Sequence, residues 1–329
     1  MDNNVVVFPR DFTPAHTLLN LDTRIICGDL TSMETAGDDV AEVAMGSDQL
    51  RLSLRGFKVM NPPRPARSSG SSALYLASGK EKRDGLLLQY LPPHSTTSLH
   101  YHACTLETFH LLAGRAAVRT PWGTEEHLDD GRRSFTNPMF VPHQVVTGES
   151  ASIILLEMGL PTESTGMKDH FYVDTDTAID IHSKGEYPSS ALSNFGAHAF
   201  SLDGIECASM EGFLQALKER DQDVQPGICA LTGGAAKRRG EELSQARGPS
   251  DPLYWQGQPI NRLSATYQEL LDRAYAELAR NSNFQAALRA TGDALLVHSI
   301  GKKTPETTIL TELELCSRLM RIRHSLPQS

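Results

Sequence analysis

Positive charge is scarce in this 329-residue chain: 31 lysines and arginines stand against 40 aspartates and glutamates, for a net charge of -9. With nothing to neutralise phosphates in bulk, broad binding to nucleic acid or an anionic membrane is excluded. The local run Lys237, Arg238, Arg239 reads equally as a basic cluster or a solvated helix end. Paired cysteine motifs are missing too. Cys27, Cys104, Cys207, Cys229 and Cys316 are odd in number, widely spaced and never CxxC, so they read as reduced, mostly packed thiols of a cytoplasmic protein. No apolar stretch approaches the length of a membrane span. The opening Met1, Asp2, Asn3, Asn4 has no basic region ahead of an apolar run, which predicts no secretory signal. No internal repeat is visible.

What is present suits a folded protein of two parts. Hydrophobic content of 40% and charged content of 22% are ordinary, and the length is about twice that of a typical domain. Up to about residue 70, short apolar pieces at 5–8, 25–27 and 50–54 are separated by turn formers, and the proline- and serine-rich stretch 61–72 predicts an exposed loop. From 74 to 159 the runs are short and β-like, at 86–90, 108–112, 116–119, 139–141 and 153–158, with turn signals between them. Many short strands without helices predict a β-barrel or jelly roll. The stretch 161–166 reads as a linker, and helical periodicity follows. Met210, Phe213, Leu214 and Leu217 mark one buried helix face. A second helix is expected over 266–280, opened by Thr266 with Glu269, and a last one from Thr311 with Glu314, burying Leu313, Cys316 and Met320. The expected domains are 1–165 and 175–329.

The strongest motif lies in the β region. His100 and His102, two residues apart on a strand, face one side and can meet one carboxylate and a third imidazole around a single ion, and Glu107, Gly114, Pro138 and His143 follow along the chain. His110 lies an odd number of positions from Glu107 and points away. Cys104 between them reads as a small packed thiol. The spacing of His100, His102, Glu107 and Gly114 resembles the first motif of the cupin family, and Pro138 with His143 resembles part of the second. His94, Phe140 and Thr147 stand where that family's motifs usually carry glycine, glycine and asparagine. The resemblance implies a double-stranded β-helix whose interior holds a divalent metal, such as iron, manganese, nickel or zinc, on His100, His102, Glu107 and His143.

In the helical half, Glu211, Gln215 and Lys218 form one stripe, which by itself reads as a solvated face. The segments 192–195, 200–204, 209–218, 236–240, 288–297 and 319–323 together resemble the NADAR domain, the YbiA-like family of N-glycosidases, over about 175–325. That family's Trp-Gly-Asp-Gly and Lys-Asn-Arg-Leu-Gly segments are absent, with 301–311 in their place. Trp255, Lys302 or Lys303 would then supply the missing contacts. The resemblance implies cleavage of a ribose C1 to base nitrogen bond, in ADP-ribosylated guanine or a riboflavin-pathway intermediate. Glu211 and Lys218 would be the catalytic pair. Asn194, Phe195, Gln215 and Trp255 would bind substrate, with no cofactor required.

The leading expectation is therefore a multidomain α and β protein, a cupin β-barrel followed by a mostly α-helical YbiA-like N-glycosidase. Expected partners are a nucleotide or ADP-ribosyl small molecule, ADP-ribosylated nucleic acid, and a second copy in a homodimer, with no membrane. Two alternatives stand beside it. One places a metal-dependent oxygenase or isomerase in the cupin, with the helical part as a nucleotide-binding module. The other is a non-enzymatic ligand sensor.

Overall fold

The computed structural model describes residues 30–37, 40–45, 48–53, 58–66, 72–78, 85–129, 131–132, 134–150, 152–159, 169–248 and 251–327. The apolar pieces at 5–8 and 25–27 and the linker at 161–166 lie outside these residues. The chain forms two compact units, Met1–Val173 and Asp174–Ser329.

In the first unit, β1 (Leu30–Gly37), β2 (Val40–Met45) and β3 (Asp48–Ser53) make an antiparallel meander. There follow β4 (Lys58–Ala66), β5 (Ser72–Ser78), β6 (Gly85–Leu91), β7 (His100–His102), β8 (Leu106–Ala113), β9 (Ala116–Arg119) and β10 (Glu125–Leu128). The unit ends with β11 (Ser134–Asn137), β12 (Gln144–Val146), β13 (Ser152–Gly159) and β14 (His170–Tyr172). One sheet has six strands in the order β11-β8-β13-β6-β5-β4, and a smaller one runs β10-β9-β12. Alternation decides which side chains meet between them. Phe109, Leu111, Ile154, Leu156 and Met158 from the large sheet pack with Ala116, Val118, Leu128 and Val145 from the small one in a single core cluster. The jelly-roll expectation thus holds at the level of two antiparallel sheets over one apolar layer.

Two local readings are corrected. The proline-rich stretch is no loop over its first half, because 61–66 belong to β4. That strand is the edge of its sheet, and its register with β5 breaks between Val59 and Arg64, where Pro62 and Pro63 fall. An edge strand with an interrupted ladder tolerates residues that cannot donate. Residues 139–141 are not a strand but part of a turn between β11 and β12, with Phe140 at φ 61°.

The second unit alternates short two-stranded ladders with helices. Ser209 caps the helix Met210–Ala216, accepting from the Gly212 N–H at 3.0 Å. Every residue of that helix is buried. A Cβ on Gly212 would stand 2.5 Å from the Leu231 carbonyl oxygen and 2.7 Å from that of Cys229, so only glycine permits this approach to the chain behind it. The helix expected from Thr266 is capped instead by Ser264, which accepts from Tyr267 N–H at 3.2 Å and moves the start to Ala265. The last helix, Glu312–Ser325, has the capping box foreseen at Thr311 and Glu314. Cys316 and Met320 are buried, and Leu313 is half-buried.

Glu314 does more than cap. Arg262 donates to both its oxygens, at 2.9 and 2.6 Å, and Gln268 adds a bond at 2.6 Å. Burial alone would raise the Glu314 carboxyl, but the bonds from Arg262, Gln268 and Thr311 hold it below its ordinary 4.5. Arg262→Ala strands a buried carboxylate and is expected to cost about 3 kcal/mol at neutral pH. A carboxyl lowered in the folded state stabilises above its unfolded value and stops doing so as pH falls through the folded one. Melting curves should therefore show a gap between wild type and variant that is full at pH 7 and narrows on acidification below 4.5. A gap independent of pH would contradict this.

Candidate functional site

Three strands of the first unit, with β7 in its own two-stranded ladder with β14, bring the sequence-separated ligand residues together. His100 and His102 lie on β7, Glu107 on β8, and His143 just before β12, where His100 and His143 form an antiparallel bridge. Glu107 and His143 are buried, at 3% and 0% exposure, so this is an interior cluster rather than a surface one. His143 Nε2 stands 2.6 Å from Glu107 Oε2, His102 Nε2 is 3.2 Å from Oε1, and His100 Nε2 is 3.8 Å from Oε2.

The opposite edge of each ring faces an acceptor. His100 Nδ1 meets the Ser98 carbonyl at 2.8 Å, His102 Nδ1 meets Asp169 Oδ2 at 2.7 Å, and His143 Nδ1 meets the Val141 carbonyl at 3.1 Å. At His100 and His102 that acceptor favours the proton on Nδ1 and turns Nε2 inward. Asn137 Nδ2 also borders His143 Nδ1 at 2.8 Å, while Asn137 Oδ1 has no partner. The same Nδ2 donates to the Val141 carbonyl at 3.0 Å and to the Pro138 carbonyl at 3.2 Å, which fixes the amide's orientation. Glu107 Oε2 and His143 Nε2 are buried without an aligned hydrogen bond. Orphaned polar atoms in an interior call for a partner, and converging lone pairs call for a cation. The residues present fit a divalent metal.

Charge in the metal-free cluster agrees. Burial disfavours a charged His102, yet Glu107 and the bonds to Asp169 and Glu107 lift it to about 10. Burial would raise Glu107, but the charges of His143 and His102 and bonds from His100 and His102 hold it well below the usual carboxylate range. The cluster thus gathers protons where an ion would sit.

Asp169 went unseen in the sequence, between the linker and the helical half. It is buried, takes the Cys104 N–H at 2.7 Å and the Thr105 hydroxyl at 2.8 Å, and orients His102. Its one signal was the neighbouring alternation His170, Phe171, Tyr172, a strand pattern. Burial opposes its ionisation, but the His102 bond and charge bring it down to about 2. Asp169→Asn keeps the shape and loses the carboxylate, and should weaken divalent-metal affinity about 10- to 100-fold in calorimetric titration. Unchanged affinity would remove Asp169 from the centre. His110, as expected, points elsewhere, to Glu157 at 3.2 Å. Cys104 is buried.

The glycine positions that this sequence replaces are informative. His94 and Phe140 adopt φ of 54° and 61°, beside Gly114 at 81°. A side chain in that region costs about 1–2 kcal/mol. The backbone keeps the left-handed turns although two of the glycines are gone.

The second unit contains a cavity of about 1120 Å³. Glu211, Gln215, Lys218, Asn194 and Phe195 all line it, so the stripe read as solvated faces an interior space. Glu211 N–H donates to the Asn194 carbonyl at 2.8 Å, and Gln215 Nε2 donates to Glu211 Oε1 at 2.9 Å. Asn194 Oδ1 accepts from the Tyr275 hydroxyl at 3.1 Å. Burial raises the Glu211 carboxyl above its ordinary value, against the Gln215 bond and the charges of Lys218 and Lys237. Burial lowers Lys218, against the charge of Glu211. Lys218 Nζ donates to the Gly240 carbonyl at 3.1 Å and to Ser244 Oγ at 2.8 Å.

Trp255 is placed differently from the expectation. It is 5% exposed, donates to Asp203 at 2.8 Å and packs edge-on against Phe213, away from the cavity wall. A buried indole needs one polar partner, which Asp203 provides. Lys302 does line the cavity, and Lys303 does not. Lys237, from the basic run 237–239, also lines it, as do Arg247, His182 and His298, which had no motif to announce them.

Comparison with known proteins places the second unit. The family described as bacteriophage protein GP30.3 matches residues 186–324. An uncharacterized 17.1 kDa protein in the Gp30-rIII intergenic region of Enterobacteria phage T4 is 39% identical over 150 residues, 45% of this chain and 98% of the phage protein. The chain belongs to the GP30.3 family. This is the family shown where the sequence resembled NADAR. Among solved structures, the GP30.3-family chain is similar to a capsular polysaccharide assembling protein, CapF, from Staphylococcus aureus, at 14% identity and a TM-score of 0.28. That likeness covers 34% of this chain and 31% of CapF. It thus spans about a third of the length of CapF. A sugar phosphate isomerase from a cupin superfamily, from Silicibacter pomeroyi, shares 22% identity at a TM-score of 0.28, over 35% of this chain and 79% of that one. Among the described residues, no helix of the GP30.3-family chain is long and apolar enough to cross a membrane.

Proposed function

We propose that the first unit is a metal-dependent cupin, an oxygenase or isomerase, and that the second unit binds a nucleotide in its cavity. One observation carries the metal reading: three imidazoles turn Nε2 toward one buried carboxylate, and Glu107 Oε2 and His143 Nε2 have no aligned bond. His100, His102, Glu107 and His143 would hold the ion. When bound, it would act as a Lewis acid on a substrate oxygen. The chain's own part is to fix ring orientation through Ser98, Asp169 and Val141 and to bury Glu107. Binding to the folded state alone stabilises it, by about 2.7 kcal/mol when metal stands at 100 times its Kd. Thermal denaturation of the full chain should shift upward with iron, manganese, nickel or zinc, and His102→Ala should remove the shift. An equal shift in the variant would count against this site.

A second reading, N-glycosidase chemistry in the second unit, is favoured by a separate observation. Glu211, raised by burial, and Lys218, lowered by burial, line the same cavity. Cleavage at ribose C1 needs a proton for the departing base nitrogen, and burial, by raising the Glu211 carboxyl, suits it to carry that proton. Burial, by lowering Lys218, favours the free amine, which would attack C1 as the base leaves and carry the sugar as an imine until water releases it. Asn194 would meet sugar hydroxyls and Phe195 a base. The full chain would release free ADP-ribose from ADP-ribosylated guanosine. Absence of that product, and of base release from ribosylamino-pyrimidines, would set this reading aside.

A further inference from the structure

Strand β14 belongs to neither sequence motif, yet it faces the same cluster. We propose that His170 is a fifth protein ligand of the ion held by His100, His102, Glu107 and His143, an inference that rests on the metal-binding reading of that cluster. In the β14–β7 ladder His170 lies opposite His102, and Tyr172 opposite His100. Residues directly opposed in an antiparallel pair place their side chains on one face. The other face is clamped by Tyr101 and Phe171, whose rings stack at 4.9 Å and 6°. His170 is thereby directed to the ligand side.

Its ring centroid lies 4.5 Å from that of His100 and 4.9 Å from that of His102. His100, His102 and His170 each offer a ligand atom within 4.8 Å of the others, and so do His100, Glu107 and His143. His100 is common to both groups, and His102 Nε2 lies 3.2 Å from Glu107. The triads are separate groups that share His100, with His170 exposed and His102 standing 3.2 Å from Glu107, so His170 sits at the outer edge of the cluster where an ion on Glu107 would draw it in.

The strand is also held in place. The Asp169 carbonyl accepts from Ala103 N–H at 2.9 Å, and Val173 N–H donates to the Leu99 carbonyl at 3.0 Å, so β14 is tied on both sides of His170. The Asp169 carboxylate adds its bonds to His102, Cys104 and Thr105. A neutral imidazole coordinates through its lone pair without losing a proton. Four imidazoles and one carboxylate leave a single open position on a six-coordinate ion, enough for one substrate atom or a water.

The test uses the full chain loaded with cobalt(II). In paramagnetic proton NMR the wild type should show hyperfine-shifted ring signals from four imidazoles, and His170→Ala from three. The variant should also bind cobalt at least about tenfold more weakly, the lower end of what losing even an outer partner costs. Three shifted imidazoles in the wild type would overturn the assignment whether or not the variant folds. Equal affinity and an unchanged visible spectrum in a folded variant would overturn it too. A wild type that takes up no cobalt would instead overturn the metal reading beneath it.

Discussion

Glu107→Gln is expected to abolish tight divalent-metal binding by the full chain, with a loss of affinity beyond the roughly 10- to 100-fold expected when an outer partner such as Asp169 is altered. Glutamine fills the same space, so packing survives. It offers one neutral carbonyl oxygen where three imidazoles had converged on an anion, and its amide nitrogen carries protons that cannot ligate. A second readout is available without metal. Burial works against a charged His102, and Glu107 is the largest of the influences that nevertheless lift it to about 10. The His102 titration followed by NMR should therefore fall in the variant. Calorimetric titration checks the first effect, and retained affinity would show that the bound ion does not rest on Glu107.

Glu211→Gln is expected to lower base release from an N-ribosyl substrate by about 100- to 10,000-fold, the range that a positioned acid contributes. The substitution is nearly isosteric, and Gln215 can still bond to the new amide oxygen, so a folded cavity is expected. Only the proton is lost. Product release followed by chromatography gives the rate, and circular dichroism confirms the fold. If Glu211→Gln were silent while His102→Ala or chelation stopped turnover, the chemistry would belong to the first unit.

The metal cluster was legible because its spacing carries physical content. Two histidines at a strand's period of two must share a face, and Glu107 follows in register with Phe109 and Leu111, which enter the core. His143 could be added only through the resemblance, since a bridge to His100 across 43 positions has no local sign. Asp169 and His170 were missed for a related reason. β14, which holds His170 and directly follows Asp169, has three residues and lies beyond an apparent linker, so no run of alternation was long enough to mark it. The capping box at Thr311 and Glu314 was readable, whereas Ser264 displaced Thr266 because a cap is chosen by backbone geometry as well as by residue type. The polar stripe of Glu211, Gln215 and Lys218 shows the limit most clearly. Periodicity placed the three on one side of a helix but could not say whether that side met water or a cavity, and the structure places it on a cavity wall.

The first unit's chemistry turns on whether the interior cluster holds an ion. Elemental analysis of the full chain, stripped with a chelator, reloaded with a single divalent metal and freed of excess by gel filtration, tests this most directly. One equivalent of metal per chain in the wild type, falling to a trace in His143→Ala, is the predicted result. A wild type that retains no metal, or a His143→Ala chain that retains as much, would contradict it.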